Sequence, residues 1–402
     1  MMKVGITGMG AVSAAGIGVA PLWQHVRDGV CAVRPLDMPR GESLRVRIAA
    51  SVPDFTPEQH LSKSQLMFCD RYAQFACVAA AEAVTQAGLD GVELGGPRTA
   101  VIIGTGSGGL NTMDEGSYLF YRGERSHHPM SIPRQIPSTG AASVSMAYGI
   151  TGPCFSIASA CSTASQAVGL GLQMIRAGIV DRVIAGGSEA PLTPVSMRGW
   201  ELLRVLTPDH CRPFSKGRRG MVVGEGAGVF VLESEDAMAA RGAKPLAWLA
   251  GYGTTSDARD MIQPDVTGAS VAMETALADA GLSPEDIGYI NAHGTATVRN
   301  DINETAAIRH VFGDYADRLP VSSSKAVIGH ALGAAGGLEL AVTVMAMRES
   351  TVPPQINFLE PDPECNLCLP LDGPEQKEMR AAMSNSFAFG GINACLVVTK
   401  TD

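Results

Sequence analysis

Cys154-Phe155-Ser156-Ile157-Ala158, an apolar run, gives way to Ser159-Ala160-Cys161-Ser162-Thr163-Ala164, a corner of small residues that opens into a helix expected over Ser162 to Ala177. The corner carries a thiol. The positive end of a helix dipole stabilises a thiolate, so a cysteine placed there is expected to have its pKa drawn below the ordinary ~8.5. The helix contains Ala164, Ala167, Gly169 and Gly171. Glycine costs about 1 kcal/mol against alanine in a helix, and close packing against other backbone is the expected compensation. The alternative for Cys161 is a buried structural thiol, the usual fate of a free cysteine in a core. Partner residues elsewhere in the chain must decide between them.

The pattern returns downstream. Pro320 to Ser324 reads as a short strand, followed by a turn and a small-residue helix over Leu332 to Met347, just as Phe155 to Ala160 precedes the cysteine helix. Such an echo implies duplication. Strands and helices alternate on both sides, which predicts two α/β units stacked face to face, over 1–242 and 243–402. In the first, Met2 to Thr7 reads as a strand closed by a turn at Gly8-Met9-Gly10, and Ser62 to Gly88 as one helix, apolar nearly all round from Ala76 to Ala83. Thr99 to Gly104 reads as a strand and Pro137 to Tyr148 as a helix; in the second unit Ile287 to Ala292 is a strand and Ile302 to Val311 a helix.

Composition narrows the partners. A chain of 402 residues with a net charge of -9 and no long apolar segment reads as globular, without a membrane span and without the cationic face that nucleic acid needs. Nine cysteines, an odd number scattered through the chain, fit a reducing compartment, so a cytoplasmic location is expected. Cys365-Asn-Leu-Cys368 has no second pair to complete a zinc site. Gly104-Thr105-Gly106-Ser107-Gly108-Gly109 matches the dinucleotide fingerprint and supports a rival oxidoreductase reading. That reading needs a second strand ending on an acidic residue about 20 positions on, and no apolar strand leads to Glu124. Glycines lining a crowded interior are the simpler account.

Three further groups sit where strands end: Asn291-Ala292-His293-Gly294-Thr295-Ala296-Thr297, Lys325-Ala326-Val327-Ile328-Gly329-His330, and Asn385-Ser386-Phe387-Ala388-Phe389-Gly390-Gly391. Strand carboxyl ends are where open α/β sheets bind ligands. A cysteine with two histidines admits zinc, but the three residues lack the short spacing of structural sites. A cysteine protease would leave one histidine and Lys325 idle. Acyl transfer uses them all: Cys161 takes an acyl group as a thioester, and two neutral histidines donate to a second thioester carbonyl as its enolate forms.

With Gly186-Gly187-Ser188-Glu189, Asn300-Asp301, Glu304, Gly333-Ala334-Ala335-Gly336 and Glu339 added to these groups, essentially the whole chain resembles the β-ketoacyl-acyl carrier protein synthases of the elongating, Cys-His-His type. The resemblance implies a thiolase-like fold, two duplicated halves in a five-layer α-β-α-β-α sandwich. It implies that Cys161 holds the primer and that His293 and His330 bind the malonyl thioester while CO2 leaves. Losing either histidine is expected to cost ~100-fold or more, since one such donor is worth about 3 to 4 kcal/mol. By the same resemblance Lys325 and Glu339 pair to fix His330, a catalytic lysine being the second role considered, with Asp301, Glu304 and Phe387 in support. Backbone N–H groups at Cys161 and Phe389 form an oxyanion hole, Phe389 gates malonyl entry, and Thr295 and Thr297 hold the pantetheine arm. Trp200, Ser107, Arg134 and Gln135 fall at substrate-binding positions, and Lys63, Arg71 and Arg204 at positions that dock an acyl carrier protein.

No cofactor is implied beyond the phosphopantetheine of that carrier, and no metal. The partner implied is a second copy, or a chain-length-factor-like ketosynthase in a heterodimer. Ala388 and Ile392 depart from the family's glycine and threonine beside the Phe389 gate. Polar Ser107, Arg134 and Gln135, with Ala190-Pro191-Leu192 and Glu360-Pro361-Asp362-Pro363, make the chain more similar to nodulation-type and type II polyketide ketosynthases than to housekeeping enzymes, and an acyl chain other than an ordinary saturated one is expected. A weakly active or non-elongating ketosynthase-like subunit is the alternative that the resemblance leaves.

Overall fold

In the computed structural model, which describes residues 2–89, 94–124 and 127–401, the first strand runs unbroken from Val4 to Ser13 (β1). Gly8-Met9-Gly10 is therefore not the expected turn. Its glycines answer to packing: a Cβ on Gly8 would stand 1.9 Å from the carbonyl oxygen of Ala83, and one on Gly10 1.9 Å from that of Ala79. Both carbonyls belong to the buried helix α1 (Arg71–Ala87), which ends at Gly88 in the left-handed conformation. The single helix expected from Ser62 is two. A short helix, Lys63–Phe68, is started by a Ser62–Gln65 capping box and stops at Cys69, and Asp70 in extended conformation begins α1.

The first half continues as β2 (Thr99–Gly104), α2 (Thr139–Tyr148), β3 (Cys154–Phe155), α3 (Thr163–Arg176), β4 (Arg182–Glu189) and β5 (Gly226–Ser234). The second half repeats it: β6 (Ala247–Ser256), α4 (Val266–Ala280), β7 (Ile287–Asn291), α5 (Val298–Phe312), β8 (Val321–Ser322), α6 (Ala335–Arg348), β9 (Ala381–Ala388) and β10 (Ile392–Thr399). Strand order is β3-β2-β4-β5-β1 in one half and β8-β7-β9-β10-β6 in the other. Sense repeats too. The β2 and β7 strands lie parallel to both neighbours, and β5 and β10 antiparallel to theirs. A brief antiparallel pairing of Gly5 with Trp248 and Ile6 with Ala247 joins the halves.

The α3 and α6 helices pack on each other between the two sheet halves, α1 and α2 cover the outer face of one, and α4 and α5 that of the other. This is the thiolase-like five-layer sandwich. The central layer explains its small residues. A Cβ on Gly169 would fall 2.4 Å from the ring of Tyr252, and one on Gly336 2.1 Å from Ser165 Oγ, so both helices are buried on nearly every side and cannot carry larger residues there. Both enter through the strand ends that form the site. Among the described residues no helix is long and apolar enough to cross a membrane.

Candidate active site

The two central helices begin in the same way. A 3-10 turn, Ala160–Ser162, precedes α3, and another, Leu332–Ala334, precedes α6. Each starts on a non-glycine residue in the left-handed region, Ala160 at φ 48° and Leu332 at φ 46°. Such a conformation costs an L-residue about 1 to 2 kcal/mol and persists where neighbours over-determine it. Around the first turn they do: Thr163 Oγ1 donates to Ala160 O and accepts from Ser159 N, while Ser162 Oγ bonds Ile392 O at 2.6 Å in the other half. Cys161 is the middle residue of one turn, and Gly333 the middle residue of the other.

His330 lies three residues before Gly333, with Nε2 3.0 Å from Cys161 Sγ. His293 follows β7. Carboxylates from the first turns of α5 hold its loop: Glu304 accepts from the N–H groups of His293 (2.8 Å) and Gly294 (2.7 Å), and Asp301 from those of Ala296 and Phe214. The rings of His293 and His330 meet edge to face at 5.3 Å, and Phe387 flanks His293 at 6.1 Å. Lys325 Nζ pairs with Glu339 and lies 3.3 Å from His293 Nδ1. An ammonium only donates, so Nδ1 of His293 accepts and its proton sits on Nε2. The Lys325–Glu339 pair thus fixes His293, not His330 as expected.

Burial sets the charges. Both imidazoles are driven well below the ordinary histidine value, by desolvation first and by the Lys325 charge second, so both are neutral at pH 7. The Cys161 thiol is pushed up to about 12 by burial, with Lys325 pulling the other way. This reverses the expected lowering: the cost of a desolvated thiolate exceeds what a helix start returns. The resting thiol is protonated, and His330 is in contact to take its proton.

Cys161, His293 and His330 offer ligand atoms within 4.8 Å of one another, which reopens the question of a metal. The Lys325 ammonium bonded to one of the two rings opposes a dication there. The three residues lie on a cavity of about 370 Å³ that Thr295, Thr297, Trp200 and Phe389 also line. Thr295 and Thr297 share a hydrogen bond of 2.9 Å, and Trp200 stacks on Phe389 at 6.1 Å. Exposed Arg204 is at the same cavity, together with Arg219, Arg299, Met261 and Ile262, which sequence reasoning missed because no motif marks their segments.

Other expected positions lie elsewhere. Ser107 is exposed, Arg134, bonded to Thr112 and Leu66 O, and Gln135 are half-buried, and all three lie outside the cavity. Lys63 is exposed on its short helix. Arg71, half-buried, is held in a two-pronged pair with Glu225, its guanidinium over Phe75, so its charge is already paired. The dinucleotide reading of Gly104 to Gly109 also ends here. The N–H groups of Gly106 and Ser107, which would face a pyrophosphate, bond the buried carboxylate of Glu189.

The description "Beta-ketoacyl synthase, N-terminal domain" matches residues 1–237 and "Beta-ketoacyl synthase, C-terminal domain" residues 246–359. Nodulation protein E of Rhizobium sp. (strain N33) is 42% identical over 396 residues, covering 98% of each chain. The 3-oxoacyl-[acyl-carrier-protein] synthase 2 of Staphylococcus aureus (strain MRSA252) is 39% identical over 407 residues, 99% of this chain and 98% of its own. Among solved structures, the ishigamide ketosynthase/chain length factor superposes over 100% of both chains with a TM-score of 0.96 at 32% identity.

Proposed function

The chain belongs to the β-ketoacyl synthase family of acyltransferases, and from that premise we propose that it extends an acyl group held on Cys161 by two carbons drawn from a malonyl thioester on an acyl carrier protein. The observation that carries this reading is the convergence of one thiol and two neutral imidazoles on a single cavity. In the first step Cys161 sulfur attacks the primer thioester while His330 Nε2 takes the thiol proton. The C–S bond to the carrier breaks, and the departing pantetheine sulfur receives that proton, which leaves His330 neutral again. In the second step the malonyl carboxylate leaves as CO2, and its electron pair becomes an enolate whose oxygen accepts from Nε2–H of His293 and, once the remaining ring proton has moved from Nδ1 to Nε2, from Nε2–H of His330. The enolate carbon then forms the new C–C bond to the Cys161 thioester, and the C–S bond breaks to leave a thiolate that takes a proton from water and so returns to the resting thiol.

Backbone N–H groups of Cys161 and Phe389 serve the oxyanion of the acyl transfers, and Thr295 with Thr297 the amides of the pantetheine arm. Arg204, Arg219 and Arg299 put three guanidinium groups at the mouth, a surface suited to an acidic carrier. Identity of 42% to a nodulation protein over nearly full length supports a specialised acyl chain in fatty acid or type II polyketide biosynthesis. The chain length factor paired with a structural relative supports pairing with a second ketosynthase-like subunit, the same chain or another. Intact-mass analysis of Cys161 after incubation with a panel of carrier-bound primers, followed by CO2 release from malonyl-carrier with and without Cys161→Ala, tests the reading. A Cys161 that takes no acyl group from any primer would overturn it.

A further inference from the structure

The glycine loop that imitates a dinucleotide site grips an anion of its own chain. Glu189 ends β4 and is fully buried. Oε2 accepts from Gly106 N at 2.7 Å and Gly333 N at 3.1 Å; Oε1 accepts from Ser107 N at 3.0 Å and Thr105 Oγ1 at 3.2 Å. Burial pushes the Glu189 carboxyl up and the four donors pull it back; acceptance on both oxygens, with no acceptor opposite either, favours the carboxylate. The donors come from both halves: Thr105 to Ser107 follow β2, and Gly333 is the counterpart of Cys161 at the start of α6. The fit excludes side chains, since a Cβ on Gly333 would stand 2.4 Å from Glu189 Oε2 and one on Gly106 2.8 Å. Leu332, the residue between Glu189's grip and the His330 segment, packs in the same apolar cluster as Cys161.

We propose that Glu189 is a positioning residue for the condensation: by tying the Thr105–Ser107 loop of one half to the Gly333 turn of the other, it sets His330 against the Cys161 sulfur. The proposal rests on the function given above. All four donors are neutral, so the charge of Glu189 also reaches the sulfur. The ionisable groups that face that sulfur are His330, His293, Lys325, Glu339 and Glu189, of which Lys325 favours the thiolate and the two carboxylates oppose it.

Two substitutions separate position from charge. Glu189→Asp keeps the charge but withdraws it by one methylene, so it cannot reach both halves. Glu189→Gln keeps the length but loses the charge and one acceptor oxygen. Both are expected to lower kcat of condensation about 10- to 100-fold, the scale of an ångström-level misplacement, with KM for malonyl-carrier little changed. Alkylation of Cys161 by iodoacetamide, followed by peptide mass spectrometry against pH, should move to lower pH in Glu189→Gln and stay in place in Glu189→Asp. Wild-type kcat in Glu189→Asp overturns the proposal, and that variant alone decides if Glu189→Gln does not fold. So does a loss of kcat that only follows the folded fraction, or an unmoved alkylation profile in Glu189→Gln. Alkylation needs no substrate, so a wild-type protein that fails to condense sinks the proposed function while the alkylation comparison still judges Glu189.

Discussion

Lys325→Met tests how the site fixes its proton. Lys325 and Glu339 are 0% and 1% exposed and form one ion pair, with the ammonium also on His293 Nδ1. Removing one partner of a buried pair typically costs about 3 to 5 kcal/mol, because the other charge is stranded. The structure caps that cost. Glu339 can take a proton instead, and neutralising a carboxyl of ordinary pKa 4.5 at pH 7 costs about 3.4 kcal/mol, so a loss near 3 kcal/mol is expected. Adding Glu339→Gln should recover most of it, since no charge is then left behind. Activity should behave differently. Without the ammonium, His293 Nδ1 has no donor, its Nε2–H tautomer is no longer imposed, and malonyl decarboxylation should fall at least ~10-fold in the single and the double variant alike. Urea unfolding and CO2 release measure the two quantities. A double variant that regains both stability and decarboxylation would refute the reasoning and reduce Lys325 to a structural counter-ion.

His293→Ala and His330→Ala should fail at different steps: the first keeps acylation of Cys161 and loses about 100- to 1000-fold in decarboxylation, whereas the second also slows acylation ~100-fold, seen by mass shift at Cys161. Equal acylation rates in both would deny His330 the role of proton acceptor. Glu304 is pushed up to about 7 by burial, partly offset by the N–H groups of Gly294 and His293. A raised carboxyl contributes its stability fully below its unfolded value and loses it as pH rises through about 7. The melting temperature of Glu304→Gln minus that of the wild type should therefore become more positive between pH 5 and 8, and a flat difference would contradict the burial account. Gly8→Ala, whose Cβ would meet Ala83 O at 1.9 Å, should lose about 1 to 3 kcal/mol or more in urea unfolding, with a loss under about 0.5 kcal/mol excluding the close approach of β1 to α1.

The duplication was readable because a strand, a small-residue corner and a glycine-rich helix leave the same trace twice, at Cys161 and before Leu332. The three reactive side chains were readable because each lies among small residues in the segment that follows a strand. What the sequence hid is of two kinds. Conformation was hidden where the residue type argues against it: Ala160 and Leu332 adopt left-handed φ that only the surrounding hydrogen bonds and packing enforce, and Gly8 and Gly10 look like a turn but sit inside a strand to admit the backbone of α1. Energy was hidden where two local effects oppose each other. The helix start at Cys161 is local and visible, whereas the burial that raises its thiol depends on Leu332, Met197 and Met221 from distant segments. For the same reason Lys325 and Glu339, correctly read as a pair, were attached to the wrong histidine.

The two corners also show why only one of them can hold a nucleophile. Cys161 and Gly333 occupy the same place in the repeated unit, and at both the backbone is bent left-handed just before the helix start. A side chain at the second corner would strike the carboxylate of Glu189, which ends the first half's fourth strand. At the first corner the corresponding space is left to the cavity, and the imidazole that meets the sulfur comes from the approach to the second corner. One half thus supplies the thiol, the other supplies both histidines, and the site exists only where the halves face each other. Substitutions that loosen this contact without touching a reactive group, such as Gly336→Ala against Ser165 Oγ, should separate His330 from Cys161 and slow acylation even where the fold survives, which the rate of Cys161 acyl loading in folded variant protein would show.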